Sequence, residues 1–336
     1  YKWDDGRFPD HEQMLDQLNS MGYKVNLWEH AFTHPDAAFH DEIAPYSGDW
    51  KVWGGLVPDF ADPNARKIFA DYHRDNIVAM QDAGVYHIVS SPEMYAAYLN
   101  VQGNNPMYSA GNIALAMIQN PNVTQIGTVD RWKALGRTVR DIEKNNGIQI
   151  FAKGNFGKGY SISNAYDISQ TVGRDIPTIQ IGETSKEMEA ALTTVMNYSQ
   201  VPIAPDESLP VPAYYDSNKL ELAINPQCSL AETFPVLTAE VALSRFHNKG
   251  KNIYYNRKNC ELDAESVSYL LCKRFGIKCD LPDVSRVTDL YNGWTAPEIR
   301  QALSSIQDMS KSIGGSIDKN IAPPNRTRGN MHRTGR

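Results

Sequence analysis

Met14, Leu15 and Leu18 recur at helical spacing behind Asp10-His11-Glu12, and the run stops at Gly22, which predicts an amphipathic helix with a glycine stop. Residues 23–28 then read as a strand. Asp62 is placed to cap a second helix with Pro63 in its first turn; Ile68, Phe69, Tyr72, Ile77 and Met80 supply the buried stripe, and Gly84 is expected to end it. Further on, Ser91-Pro92-Glu93 opens a helix with Met94, Tyr95, Tyr98 and Leu99 inside, and Tyr108-Ser109 introduces another that runs through Ile118. An apolar strand follows at 148–151. Residues 185–198 predict a helix whose apolar side is Met188, Ala191, Leu192, Val195 and Met196, followed by short strands at 213–215 and 220–224. Two long helices are then expected over 229–247 and 263–275. Short strands interspersed with longer helices make the expected fold class α+β.

Charge divides the chain. The net charge is -6, yet residues 1–86 hold 15 acids against 7 bases, a local balance of -8 that leaves +2 for the remainder. Five of the eight histidines also lie in that first quarter. This break predicts separate modules, and 336 residues are enough for two or three, each with its own core. The boundaries are set at 1–86, 87–183, 184–312 and a tail, 313–336.

Cys228, Cys260, Cys272 and Cys279 form no C-x-x-C pair, so reduced thiols and a cytoplasmic setting are expected. No apolar run reaches membrane-spanning length and no signal peptide is visible, so no membrane partner is expected. The chain opens on Tyr1 rather than Met, so the expectation is a fragment or a processed product.

In the first module, Trp3-Asp4, Arg7-Phe8-Pro9-Asp10, the segment 21–25, Leu27-Trp28-Glu29-His30 and the segment 54–60 resemble, in order, the middle of a glycoside hydrolase family 31 barrel. The resemblance implies a partial βα-barrel. It also implies two catalytic carboxylates, the nucleophile at the end of the barrel strand following Asp82-Ala83-Gly84-Val85. That position reads Tyr86-His87-Ile88-Val89-Ser90-Ser91-Pro92 and holds no acid, so the α-glycosidase reading is of an inactive fragment. Trp28, Glu29, His30 and Trp53 are the side chains a sugar subsite would use.

The second module carries Tyr108-Ser109 with Asn112, Trp132-Lys133-Ala134-Leu135-Gly136-Arg137 and Asp167-Ile168-Ser169-Gln170-Thr171. Together these resemble the N-terminal domain of ArdC-type antirestriction proteins of mobile elements, which implies single-stranded DNA as partner. Binding an unpaired strand needs planar groups for base stacking and cations for phosphates. Tyr108 and Trp132 are candidates for the first, with Asn112 beside them. Lys133, Arg137, Arg140, Lys144, Lys153 and Lys158 are candidates for the second. In the competing reading Trp132 is a core anchor beneath the Gly136 turn, and the cations, diluted by Asp130, Asp141 and Glu143, are a solvated face.

In the third module ArdC-type proteins are zincin-like, with His-Glu-x-x-His on one helix and an acidic ligand on the next. Here the segment reads Ala239-Glu240-Val241-Ala242-Leu243, apolar at both histidine positions, while Glu261-Leu262-Asp263-Ala264-Glu265 matches the second motif. Glu240 and Glu265 are therefore vestigial, and one carboxylate cannot replace two imidazoles. The expectation is no catalytic residue, no metal and no cofactor, with a degenerate domain kept for structure or for docking a protein partner. Residues 313–336 are glycine-, proline- and base-containing with few apolar positions, and are expected to be disordered.

Overall fold

The structure is a computed structural model. It describes Asp10, Gln13, Met14, Gln17, Met21 and residues 32–153 and 160–321. Contacts divide the chain after Ala79 into two compact units, 1–79 and 80–336.

In the first unit Gln13, Met14 and Gln17 are helical, within the stretch where a helix is predicted. The strand predicted at 23–28 lies outside the described residues, as do Trp28, Glu29 and His30. A short helix α1 (His40–Ile43) leads into β1 (Ser47–Val52) and β2 (Gly55–Pro58), an antiparallel pair in which Val52 faces Gly55. The two turn residues, Trp53 at φ 51° and Gly54 at φ 82°, both adopt the left-handed conformation that a tight hairpin requires. Trp53 is 71% exposed at that tip. Phe39, Phe60, Phe69 and Tyr72 form an aromatic cluster. A βα-barrel needs parallel neighbours, whereas these described strands form an antiparallel hairpin.

Helix α2 (Pro63–Val89) carries the division between units. It does not stop at Gly84. A Cβ there would lie 2.7 Å from the Ala114 carbonyl oxygen, so this glycine allows close helix packing rather than ending the helix. Residues 86–89, where the barrel resemblance places a strand end, are helical.

The second unit continues with α3 (Pro92–Asn104), α4 (Ala110–Gln119), β3 (Ile126–Gly127), α5 (Val129–Ala134), β4 (Arg137–Val139), β5 (Ile148–Lys153), β6 (Tyr160–Asp167) and β7 (Thr171–Gly173). Ser91 and Ser109 cap α3 and α4 by accepting from the Met94 and Asn112 amides. Then come α6 (Lys186–Asn197), β8 (Ile203–Pro205), β9 (Ala213–Asp216), β10 (Glu221–Ile224), α7 (Leu230–His247), α8 (Arg257–Phe275), α9 (Val287–Leu290) and α10 (Ala296–Ile321). The sheets are small: β3-β6-β5 and β4-β7 are antiparallel, and in β8-β10-β9 the central strand runs parallel to β8 and antiparallel to β9. The architecture is a mixed α and β one, as expected.

One apolar core runs through this unit, from Val85 and Ile113 through Ile150 and Ala165 to Phe234, Leu271 and Ile313. It crosses position 183 without interruption. A second, smaller core gathers Trp132, Val139 and Tyr166. The tail departs from expectation: α10 extends to Ile321, and Ile313 and Ile317 are fully buried because they continue the stripe of Ile299, Leu303 and Ile306. Asp318 pairs there with Arg274. Residues 322–336 lie outside the described residues. Among the described residues no helix is long and apolar enough to cross a membrane.

Candidate functional site

The segment that carries the Trp132, Arg137 and Asp167 motifs folds around Trp132. Its side chain is fully buried, and its indole N–H donates to the Tyr166 carbonyl at 3.0 Å. Gly127 lies against the ring, where a Cβ would come within 2.8 Å of Cε2. With both faces covered, Trp132 offers no platform for a base. The stacking role is corrected to that of a core anchor.

Asn112 is also inside. Its amide donates to the Phe151 carbonyl at 2.8 Å and its oxygen accepts the Phe151 N–H at 2.9 Å. Gln119, two turns further along α4, makes the same pair of bonds with Gln149, at 2.9 Å each. Two side-chain amides thus replace a missing neighbour along the open edge of β5.

Arg137 and Arg140 hold backbone. Arg137 donates to the Thr171 hydroxyl at 2.8 Å and to the Arg174 carbonyl at 2.5 Å, and Arg140 donates to the Ser169 carbonyl at 2.7 Å. The Asp167 to Thr171 motif is a staple. Asp167 accepts from the Thr124 and Gln125 amides at 2.7 and 3.0 Å, and Gln170 returns a bond to the Asp167 N–H at 2.8 Å. Burial would raise the Asp167 pKa, but the Ser169 and backbone donors hold it below the usual carboxylate value. The guanidinium donors of Arg137 and Arg140 are thus spent on β7 and its flanking turns, and Arg140 also pairs with Glu143 at 3.4 Å. The groups that Arg137 bonds there are neutral. Lys144 pairs with Asp141 at 2.7 Å on the surface, whereas Lys133 is exposed. Tyr108 is half-buried against the main core; burial raises its phenol and nearby Arg131 lowers it. Lys158 lies outside the described residues.

The exposed planar groups are elsewhere. In the β5–β6 ladder Phe151 faces Ile162 and Lys153 faces Tyr160, so alternation puts Phe151, Tyr160 and Ile162 on one side and Ile148, Ile150 and Ala165 on the other. The second set is core. The first is turned outward: Tyr160 is 72% exposed and Ile162 36%, and the Phe151 and Tyr160 rings meet edge to face at 6.4 Å. The sequence reading misses Tyr160. Its signal was available in the polar and apolar alternation of Tyr160-Ser161-Ile162-Ser163 beside a strand already identified.

Glu240 and Glu265 both line a cavity of about 830 Å³, with Pro235, Ser268, Cys279 and Asp283 among others. Helix α7 starts with a capping box between Ser229 and Glu232. Glu240 is buried, and its oxygens are engaged: Arg257 donates at 2.5 and 3.0 Å, and the Tyr215 N–H at 2.7 Å. Arg257 also sits over the Tyr214 ring, 4.7 Å from its centroid. Glu265 has its pKa raised by burial and by Glu261, Asp283 and Glu240. His247 bonds the Tyr215 hydroxyl at 2.8 Å and stacks on Tyr255.

These residues do not fit a zincin metal. Ala239 and Leu243 offer no donor atoms, and Glu240 is held by an arginine. Among the described residues no group of three or more His, Cys, Asp and Glu side chains is placed to bind an ion.

No protein-family profile and no curated protein matches the chain. Solved structures of one plasmid protein are similar to it. The metal-free crystal structure of antirestriction protein ArdC from plasmid R388 shares 16% identity, covers 72% of this chain and 97% of its own, and has a TM-score of 0.45. Its Mn(II)-bound form gives 16%, the same coverages and 0.44.

On the other side of α8 the Tyr291 hydroxyl donates to Asp263 at 3.1 Å, beside Tyr95. Burial pushes the Asp263 carboxyl up to about 7, the Tyr291 bond offsetting part of the rise. The folded state therefore favours the protonated acid. Its stabilising contribution is complete below the unfolded value near 3.8 and is lost as pH rises to about 7. Asp263→Asn is expected to flatten the stability profile between those limits, by no more than about 4 kcal/mol given partial solvent access. Urea unfolding of both proteins across that range checks it; parallel profiles would contradict it.

Proposed function

We propose that the chain is a noncatalytic, single-strand DNA-binding accessory protein of the ArdC antirestriction type from a mobile element. The reading rests on one observation: the outward face of β5–β6, where Tyr160 presents its ring to solvent beside the partly buried Phe151. An unpaired strand exposes base faces that such rings can stack on without reading sequence. Lys153 stands opposite Tyr160 in the ladder, and the connecting residues 154–159 include Phe156 and Lys158 in sequence. Cations at these positions would bind phosphates and make affinity fall with salt. The motifs around Trp132, Arg137 and Asp167 support this function indirectly, by building the frame that carries β6. Glu240 and Glu265 serve the degenerate domain as structure.

Photo-crosslinking with a 5-iodouracil oligonucleotide tests the site. Adducts are expected on the peptide containing Tyr160, suppressed by excess unlabelled single strand. Adducts confined to peptides outside 148–162 would contradict the proposal.

A further inference from the structure

Helix α7 ends in a turn that is bonded along its length. Asn248, Lys249 and Gly250 take successive left-handed conformations at φ 51°, 54° and 77°, and the Asn248 N–H closes the helix on the Ser244 and Arg245 carbonyls at 3.1 Å each. Asn252 then ties the loop back. Its side-chain amide donates to the Phe246 carbonyl at 3.0 Å, its N–H donates to the His247 carbonyl at 3.2 Å, and its side-chain oxygen accepts the Tyr254 N–H at 3.1 Å. Beyond it Tyr255 packs against the main core and stacks on His247 with ring centroids 4.2 Å apart, and Asn256 caps α8 by accepting the Asn259 N–H. Between these anchors Ile253 and Tyr254 stand 81% and 89% exposed. A lone exposed apolar residue is ordinary, but two neighbours held out by a braced turn are a surface offered to a partner.

Charge selects the partner. The segment 246–260 contains no acid. Arg257 is committed to Glu240, with Glu261 at 4.0 Å, whereas Lys249, Lys251 and Lys258 are exposed. The partner is therefore anionic, and it must also offer a flat face to a ring. Tyr254 and Tyr160 are the two most exposed tyrosines among the described residues, and their settings match: Ile253 and Lys251 flank Tyr254 in sequence, while Ile162 lies two residues along β6 from Tyr160 and Lys153 stands opposite it in the ladder. We propose that the loop 249–254 of the degenerate domain is a second single-strand contact, in which a base stacks on Tyr254 against Ile253 while Lys249 and Lys251 take the flanking phosphates. The inference rests on the reading of the chain as a single-strand DNA binder, but not on Tyr160 being its contact.

The test uses the full-length protein and an oligonucleotide carrying 5-iodouracil. Adducts are expected on the tryptic peptide 252–257, which contains Tyr254, as well as on the one containing Tyr160. In fluorescence anisotropy Tyr254→Ala should weaken binding by about 5- to 150-fold, one lost stacked base, at an unchanged melting temperature. The double change Lys249→Gln and Lys251→Gln should flatten the slope of log affinity against log salt by about 1.4, at about 0.7 for each phosphate contact on a single strand. Adducts on 252–257 alone would sustain this contact and remove Tyr160. Adducts on the Tyr160 peptide alone, or unchanged affinity in Tyr254→Ala, would overturn this contact and leave the Tyr160 site standing. No binding by the natural protein would overturn both. Loss of phosphatidylserine-vesicle binding in Tyr254→Ala, with oligonucleotide affinity unchanged, would assign the loop to a lipid surface and overturn the proposal.

Discussion

Trp132→Ala is expected to destabilise the second unit by about 3–5 kcal/mol, the range for removing a fully buried large aromatic. The indole fills the small core with Val139 and Tyr166, and Gly127 has no side chain with which to fill the vacancy. The lost indole donor leaves the Tyr166 carbonyl short of a partner. In a unit of this size that corresponds to a melting-point decrease on the order of 10 °C, readable by calorimetry. Trp132→Phe should retain most of the packing and bind single-stranded DNA within a few-fold of the natural protein. A Trp132→Phe protein that is folded yet fails to bind would restore Trp132 as a contact residue.

Glu240→Ala is expected to cost about 2–4 kcal/mol. Removing one partner of a buried pair leaves the other charge uncompensated, at about 3–5 kcal/mol when both are sealed. Arg257 is 30% exposed, so solvent recovers part of that. The Tyr215 amide, within β9, also loses its acceptor, which adds to the cost. Glu240→Gln keeps an acceptor for that amide and should fall between the two. The effect should appear in urea unfolding. Unchanged stability in Glu240→Ala would mean that the Arg257 and Tyr215 bonds contribute nothing.

Several elements were legible because local chemistry decides them. Ser91, Ser109, Ser185 and Ser229 each cap the helix expected to begin beside them, and periodic apolar positions fix the buried face of α6 at Met188, Ala191, Leu192 and Val195, whereas Met196, expected on that face, is 38% exposed. Gly84 misled because a glycine that ends a helix and one that admits a neighbouring helix look alike in sequence; only the Ala114 carbonyl distinguishes them. Ile313 and Ile317 were hidden by the glycines and lysines around them, although their spacing continued the stripe of α10. Trp132 as a stacking platform failed for a related reason. Tryptophan and arginine are the residues that nucleic acids favour, but they are also the residues that anchor cores and cap carbonyls. Trp132 and Arg137 do the second kind of work. Which aromatic ring faces solvent depends on the register of β5 with β6, a long-range property that neither strand carries alone.

The most direct measurement is fluorescence anisotropy of a labelled single-stranded oligonucleotide titrated with the natural protein and with Tyr160→Ala at two salt concentrations. One lost stacking contact of about 1–3 kcal/mol predicts affinity weakened by about 5- to 150-fold, with the melting temperature retained and the natural protein weakening as salt rises. Equal affinity of the two folded proteins, or no salt-dependent binding by the natural one, would contradict the account.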